Sequence, residues 1–367
     1  MKTLRAMDRV LLICLFCLAA LGTITLFAAL HQGDISLWQR QNIFWAIGLV
    51  IFFSLCFVPL RMTGLACWPV YLVTLLCLAL VPLIGDVQMG ARRWLNLGLF
   101  NLQPSELMKW ALMLILAHWF ASREPGSIVN LSVAAALTIV PTALIVIQPD
   151  LGTALVLLLA ATALLVAAGF PWRWLFFATI GALISLPVLW HNMHAYQKKR
   201  VLGFLDPQSD PLGAGYHVIQ SSIAIGSGGI FGKGFLNGTQ SRLHFLPEQH
   251  TDFIFAVLAE EGGLLAVLLL LILYGVLISR ILIIGSRAHS RFASLLCMGV
   301  ASIFILYISV NIGMVSGLMP VVGVPLPFIS YGGSALITML AALGLVMRTA
   351  IESRDKIPWQ RPGSPLI

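Results

Sequence analysis

Charged side chains are scarce in this chain. Asp, Glu, Lys and Arg together make up 10% of its 367 residues, and only 14 of them are acidic. Such a composition lies far from the mixture expected of a water-soluble domain. Cysteine is sparse too. Cys14, Cys17, Cys56, Cys67, Cys77 and Cys297 all fall inside long apolar runs, which argues against an exported disulfide framework. Cys14 and Cys17 spell C-L-F-C, yet the run around them holds no cation or further ligand to stabilise a thiolate, so both read as small packing residues. Zinc spacings and the interleaved aromatic and basic residues of a nucleic-acid module are missing as well. Nucleic acid is therefore not an expected partner, despite a net charge of +8.

What is present is apolar. Hydrophobic residues make up 59% of the chain, and mean hydropathy is +0.95. A helix needs about 20 predominantly apolar residues to cross the hydrocarbon core, and the sequence offers such a run roughly ten times, at 10–30, 43–60, 66–84, 105–121, 129–147, 151–170, 173–190, 252–279, 293–314 and 334–351. The expected fold class is an all-α integral membrane protein: one polytopic domain over 1–367 with ten transmembrane helices and a large structured extracytoplasmic loop over about 191–250. The first run lacks a small-residue cleavage site and follows Lys2, Arg5 and Arg9, so it reads as a retained span. Arg61, Arg123, Arg173, Arg280, Arg287, Arg291, Arg348 and Arg354 then share the cytoplasmic side with both termini, while the short outer loops hold Arg40, Arg92 and Arg93. The positive charge is mainly a topology signal.

An ionised side chain inside a membrane needs a partner, a wet cavity or a function. Asp34, Asp86, Glu106, Asp150, Asp206, Asp210, Glu248, Asp252, Glu260 and Glu261 all fall on the expected outer side or in the outer half of spans. That pattern implies a polar cavity opening outward among the helices. Several outer segments put a Pro or Gly turn just before a helix with charge in its first turn: "QPSELMK" with Glu106 and Lys109 at i and i+3, "QPDLGT" with Asp150, and "PEQHTDF" with Asp252. Capping of free N–H groups is the plainer reading of any single acid there.

The outer segment carries Lys198, Lys199 and Arg200 and then a glycine-rich run. "GSGGIFGKG" breaks the Walker pattern, with Ser227 in the first glycine position and Gly234 after Lys233, and Phe231 breaks a dinucleotide fingerprint. Tight turns and close helix approach explain the glycines; the alternative is that free backbone N–H groups and the nearby cations receive a phosphate.

The runs "ARRWLNLG", "QPSELMK", "QPDLGT", "YQKKRV", "DPLGAGYHVIQSSIAIGSGGIFGKGFLNGTQSRLHFLPEQHTDFIFAVLAEEGG" and "NIGMVSGLMPVVGVPLPFISYGGSALI" occur in order over essentially the whole chain. They resemble the SEDS family, and within it the elongation branch. The resemblance implies a ten-span inner-membrane glycosyltransferase that polymerises peptidoglycan from lipid II beside a class B penicillin-binding protein, within the elongation machinery. It matches the family's essential aspartate to Asp252, its fourth-span motif to Glu106 and Lys109, its "QPD" to Asp150, its "RQ" to Arg40 and Gln41, and its "SYGGS" to Ser330 through Ser334. Pro327 and Phe328 stand where related chains carry other apolar residues.

In the implied reaction the 4-hydroxyl of GlcNAc on one unit attacks the anomeric carbon of a MurNAc whose leaving group is undecaprenyl pyrophosphate. A sugar hydroxyl is a weak nucleophile, which makes Asp252 the expected general base. The diphosphate needs charge neutralisation, from Arg40, Lys109, Arg200 or a divalent cation, with Lys198 and Ser330 as further substrate contacts. Glu106 would hold Lys109 or an ion. The candidate cofactor is that divalent cation, Mg or Mn, and the sequence does not decide whether one is required. Two other readings remain at this level. A lipid II transporter expects charges at mid-membrane, and an inert cell-wall scaffold expects Asp252 to be dispensable. Gly262 and Gly263, at the head of "GGLLAVLLLLIL", are expected to let the partner's span approach closely.

Overall fold

The computed structural model describes residues 6–31, 34–88, 91–96, 98, 101–171, 173, 176, 180–181, 184, 187, 190–191, 198, 214–242 and 248–354. Among them the long helices are α1 (Arg9–Leu30), α2 (Ile35–Phe57), α3 (Leu60–Ile84), α4 (Pro104–Ala121), α5 (Ile128–Ile147) and α6 (Leu151–Ala167). After α7 (Ala214–Ser227) and the short α8 (Thr239–Arg242) come α9 (Ile254–Ser286), α10 (Arg291–Val315) and α11 (Gly333–Arg354). Nine of the ten expected spans are thus helices; the run at 173–190 lies largely outside the described residues.

Among the described residues seven helices are long and apolar enough to cross a membrane. The two other spans fall short for clear reasons. α4 carries Glu106 and Lys109 in its first turns, and α6 is only 17 residues long. One departure from an all-helical reading lies between α3 and α4, where β1 (Asp86–Gln88), β2 (Ala91–Asn96) and β3 (Asn101–Leu102) form an antiparallel sheet in the order β1-β2-β3. Three strands this short carry too little alternation to stand out from a loop.

Burial sorts the helices. Of those seven helices, α10 and α11 are the most enclosed. Around them α2 packs on α11, α4 and α6 on α10, and α1 and α9 on each other. The ends separate by charge. At one end buried Asp8 caps α1 through Leu11 N at 2.9 Å. Its carboxylate pairs with Arg280 and lies 3.7 Å from Arg354. Glu352 there accepts from Leu60 N at 3.0 Å and pairs with Arg348 at 2.8 Å. The opposite end holds Asp34, Arg40, Glu106, Asp150 and Asp252, at the starts of α2, α4, α6 and α9. All six cysteines are free thiols, and Cys14 Sγ donates to Leu273 O at 3.1 Å, a packing role within the bundle.

A cradle of carboxylates at one end of the bundle

The Asp252 turn is fastened at successive residues. Gln249 Nε2 donates to Ala29 O at 2.8 Å. His250 O accepts from Tyr331 N at 2.9 Å, Thr251 O from Ser330 Oγ at 2.6 Å, and Asp252 O from Asn311 Nδ2 at 3.0 Å. The N-cap of α9 is Phe253, which makes no side-chain cap bond, so Asp252 sits one residue outside the capping position. Its side chain is half-buried, and Oδ2 faces the backbone at Gly323, 3.4 Å from where a Cβ would stand.

Glu106 and Lys109 form the i, i+3 pair that their spacing anticipates, at 2.6 Å. α10 closes it into a triad: Tyr307 OH donates to Glu106 Oε2 at 2.8 Å, and Lys109 Nζ donates to the same hydroxyl. Glu106, Lys109 and Tyr307 are 3%, 2% and 0% exposed, so the triad is shut off from bulk water. Asp150 follows the plainer reading and caps α6, accepting from Thr153 N at 3.2 Å. Arg93 from β2 holds the preceding turn through Gln148 O at 3.3 Å and Pro149 O.

The loop at 320–332 joins these parts. Val322 O lies 2.6 Å from where a Cβ on Gly152 would stand, against the Asp150 turn. Gly323 faces Asp252, and Val324 O accepts from Asn311 Nδ2 at 2.7 Å. Phe328 adopts φ +65°, a left-handed geometry costly for a bulky residue. Stacking on Phe304 at 5.6 Å and a tilted ring contact with Trp45 at 5.8 Å hold it there. Ser330 is buried, and its hydroxyl both accepts from Leu326 N at 2.8 Å and donates to Thr251 O. Expected as a substrate contact, Ser330 is instead committed to scaffolding. Gln41, next to Arg40, binds the same loop through Ser330 O and Gly332 N, each at 3.2 Å.

Arg40 is exposed at the rim, close enough to Asp34 and Tyr331 to act on both electrostatically. Burial pushes the Tyr331 phenol up, so it stays protonated, with Arg40 opposing and Asp34 adding. Burial also pushes His250 below its usual value, against the pull of Glu248 and Asp34. The imidazole is therefore neutral near pH 7 and brings no cation to the Asp252 turn. Lys198 Nζ donates to His191 O at 3.1 Å; Lys199 and Arg200 lie outside the described residues. On another face of α4, Leu107, Trp110, Ala111 and Leu114 line an apolar cavity of about 370 Å³ that is completed by α2, α3, α10 and α11.

Glu260, Glu261 and the glycine-rich run explain one another. α9 is 33 residues long and breaks at Gly263, with φ +65° and ψ −164°. Its N-terminal arm, Ile254 to Glu261, is buried throughout, whereas exposure begins at Leu264. The loop at 228–234 supplies partners at the break: Lys233 N and Gly234 N donate to Glu260 O and Glu261 O, each at 3.0 Å, while Leu264 N donates to Gly229 O at 3.0 Å. Glu260 accepts from Lys233 Nζ at 2.7 Å, Thr239 N at 2.8 Å and Gln240 N at 3.0 Å. Glu261 accepts from Leu236 N at 3.1 Å. The N–H groups of Lys233 and Gly234 are thus not free to receive a phosphate. Gly263 likewise meets its own chain: a Cβ there would lie 2.3 Å from Gly232 N, so it serves an internal junction, not a partner's span.

Among the described residues no three His, Cys, Asp or Glu side chains converge as a metal cage. Glu106 is held by Lys109 and Tyr307, and Asp150 by its capping bond. A divalent ion held by protein ligands alone does not fit this donor set. The structure joins Glu106, Lys109, Asp150, Asp252 and Ser330 around the C-terminal end of α10 and leaves Arg40 at the rim. Sequence reasoning missed Tyr307 and Asn311, although two polar residues at i and i+4 in an apolar span were a signal for one functional face.

A bundle of apolar helices with a buried lysine and carboxylates at one end defines a multi-pass membrane protein. The chain belongs to the FTSW_RODA_SPOVE family, described as cell cycle protein, whose model matches residues 4–355. It is 47% identical over 345 residues to the peptidoglycan glycosyltransferase MrdB of Escherichia coli strain K12, covering 93% of this chain and 92% of that protein. It is 35% identical over 371 residues to stage V sporulation protein E of Bacillus subtilis strain 168, covering 95% and 98%. Among solved structures it matches the rod shape determining protein RodA of Thermus thermophilus with TM-score 0.72 and 32% identity, over 97% of this chain and 98% of that one. A chain from work on the structural coordination of polymerization and crosslinking by a peptidoglycan synthase complex matches with TM-score 0.83 and 38% identity, over 95% and 99%. The resemblance carried by the motifs is borne out.

Proposed function

We propose that this chain is a peptidoglycan glycosyltransferase that polymerises lipid II into glycan strands for cell elongation, with Asp252 as the general base. The observation that carries the reading is the fastened Asp252 turn: its carbonyls accept bonds from the 320–332 loop and from α10, which also carries Tyr307 of the buried triad, and its Gln249 side chain donates to α1's last turn. Preorganisation of this kind is what proton abstraction from a positioned sugar hydroxyl requires.

The diphosphate is assigned to the Lys109 ammonium, and the apolar cavity lined by Leu107 and Trp110 on another face of the same helix offers room for an isoprenoid tail. Glu106 and Tyr307 orient that ammonium, and Arg40 adds a second cation from the rim. Asp150 serves as a cap that places the 148–152 turn, Ser330 positions the Asp252 turn, and Lys198 and Arg200 are assigned to the incoming anionic substrate. Charged side chains of the described long helices cluster toward their ends, which favours transfer at one face over carriage across the bilayer.

Residues 1–367 then act as one membrane domain, with 191–250 as the outer loop that receives donor and nascent strand. The location is the bacterial cytoplasmic membrane, with both termini inside and the site facing out. The partner is a class B penicillin-binding protein, in keeping with the match to a chain of a peptidoglycan synthase complex. The test is polymerisation of purified lipid II by the protein with its partner. Asp252→Asn keeps size and leaves the α9 cap untouched, so the rate should fall about 10² to 10⁴ fold without loss of fold. A folded variant polymerising at the wild-type rate removes the base assignment.

A further inference from the structure

α10 carries a second fastener one turn beyond Tyr307. Asn311 is 0% exposed, and its two amide hydrogens go to Asp252 O at 3.0 Å and Val324 O at 2.7 Å. Two carbonyl partners demand the nitrogen on that side, which settles the orientation of the amide. The amide oxygen Oδ1 has no hydrogen-bond partner among the described residues. A buried acceptor left without a donor is a cost that a residue serving only stability would avoid. What Asn311 obtains is a cross-tie between Asp252 and Val324, the residue next to the Gly323 backbone that Asp252 Oδ2 faces.

We infer that Asn311 is a positioning residue for the transfer reaction, setting the height of Asp252 relative to the Glu106–Lys109 pair. The inference rests on the reading of Asp252 as the base. Residues 307 and 311 are about 6 Å apart along α10 at 1.5 Å per residue. One rigid helix therefore fixes the ammonium through Tyr307 and the base through Asn311. Other ties to the turn come from the 320–332 loop and from α1. Without Asn311 the turn stays attached but loses its register against the triad.

The test uses the full chain with its partner and lipid II. Asn311→Leu keeps the side chain's approximate shape and removes both donors. The expected result is a fall in kcat of about 10 to 100 fold, the scale of a misplacement near 1 Å, with KM for lipid II essentially unchanged. In an Asp252→Asn background the same change should have no further effect, because the group it positions is gone. Asn311→Ser, which keeps one donor, should give an intermediate kcat and supplies the comparison if the leucine variant does not fold. Wild-type kcat in a folded Asn311 variant, or losses that multiply in full with Asp252→Asn, would overturn the proposal. Asp252→Asn with wild-type activity would instead overturn the base assignment, so the two failures are distinct.

Discussion

Lys109→Met should destabilise the protein well beyond an ordinary lost contact. The side chains of Lys109 and Glu106 are 2% and 4% exposed, so solvent screens almost none of their 2.6 Å interaction. Removing one member of a buried pair leaves the other charge uncompensated, typically at ~3–5 kcal/mol. Two features pull the figure toward the low end. Tyr307 still donates to Glu106, and helices in lipid find substitute partners, so that single interhelical hydrogen bonds average only ~0.6 kcal/mol. We expect a loss of about 3 kcal/mol for Lys109→Met. Glu106→Gln with Lys109→Met removes both charges while Gln keeps an acceptor for Tyr307, so the double variant should recover most of that loss. Denaturant titration in mixed micelles gives the four stabilities of the cycle, and glycan yield from lipid II is read on the same samples. An unchanged midpoint for Lys109→Met, or a double variant as unstable as the summed singles, refutes the reasoning. If Lys109 meets the diphosphate, the double variant folds but does not polymerise; restored polymerisation reduces the pair to a structural one.

Gly263→Ala should lower membrane yield even with no partner present, because φ +65° with a Cβ 2.3 Å from Gly232 N adds a clash to strain that alone costs ~1–3 kcal/mol. Normal yield and stability combined with poor co-purification of the proposed penicillin-binding protein partner would return this glycine to a partner interface. At the opposite end, burial pushes the Asp8 carboxyl up, but the Arg280 hydrogen bond, the Leu11 amide and the charges of Arg280 and Arg354 outweigh it and hold it below its ordinary 3.8. Its contribution to stability is therefore complete above that value and lost as pH falls through the lower folded one. Thermal stability should drop across that acidic window in the wild type and much less in Asp8→Asn; parallel curves would show that Asp8 is not the group responsible.

Local composition was enough to determine the membrane class, nine of the described helices and the pairing of Glu106 with Lys109. Runs of apolar residues and an i, i+3 spacing are read within one helix, and lipid leaves a backbone few alternatives to helix. The motifs also singled out Asp252 and Asp150. Their different uses could not be read the same way. Both precede a helix, yet Asp150 occupies the N-cap and Asp252 stands one residue outside it. That offset depends on where the chain turns, and bonds from residues 29, 311, 330 and 331 set the turn. Likewise "GGLLAVLLLLIL" is uniformly apolar, and nothing in it separates a lipid-facing run from a buried arm. Only the docking of loop 228–234 decides that α9 breaks at Gly263, with Glu260 and Glu261 turned to that loop. Tyr307 and Asn311 acquire meaning from partners some 200 and 59 positions away. Hydrophobicity and helical period act along the chain, whereas hydrogen bonds that fix a site are satisfied across it, so the class was local information and the site was not.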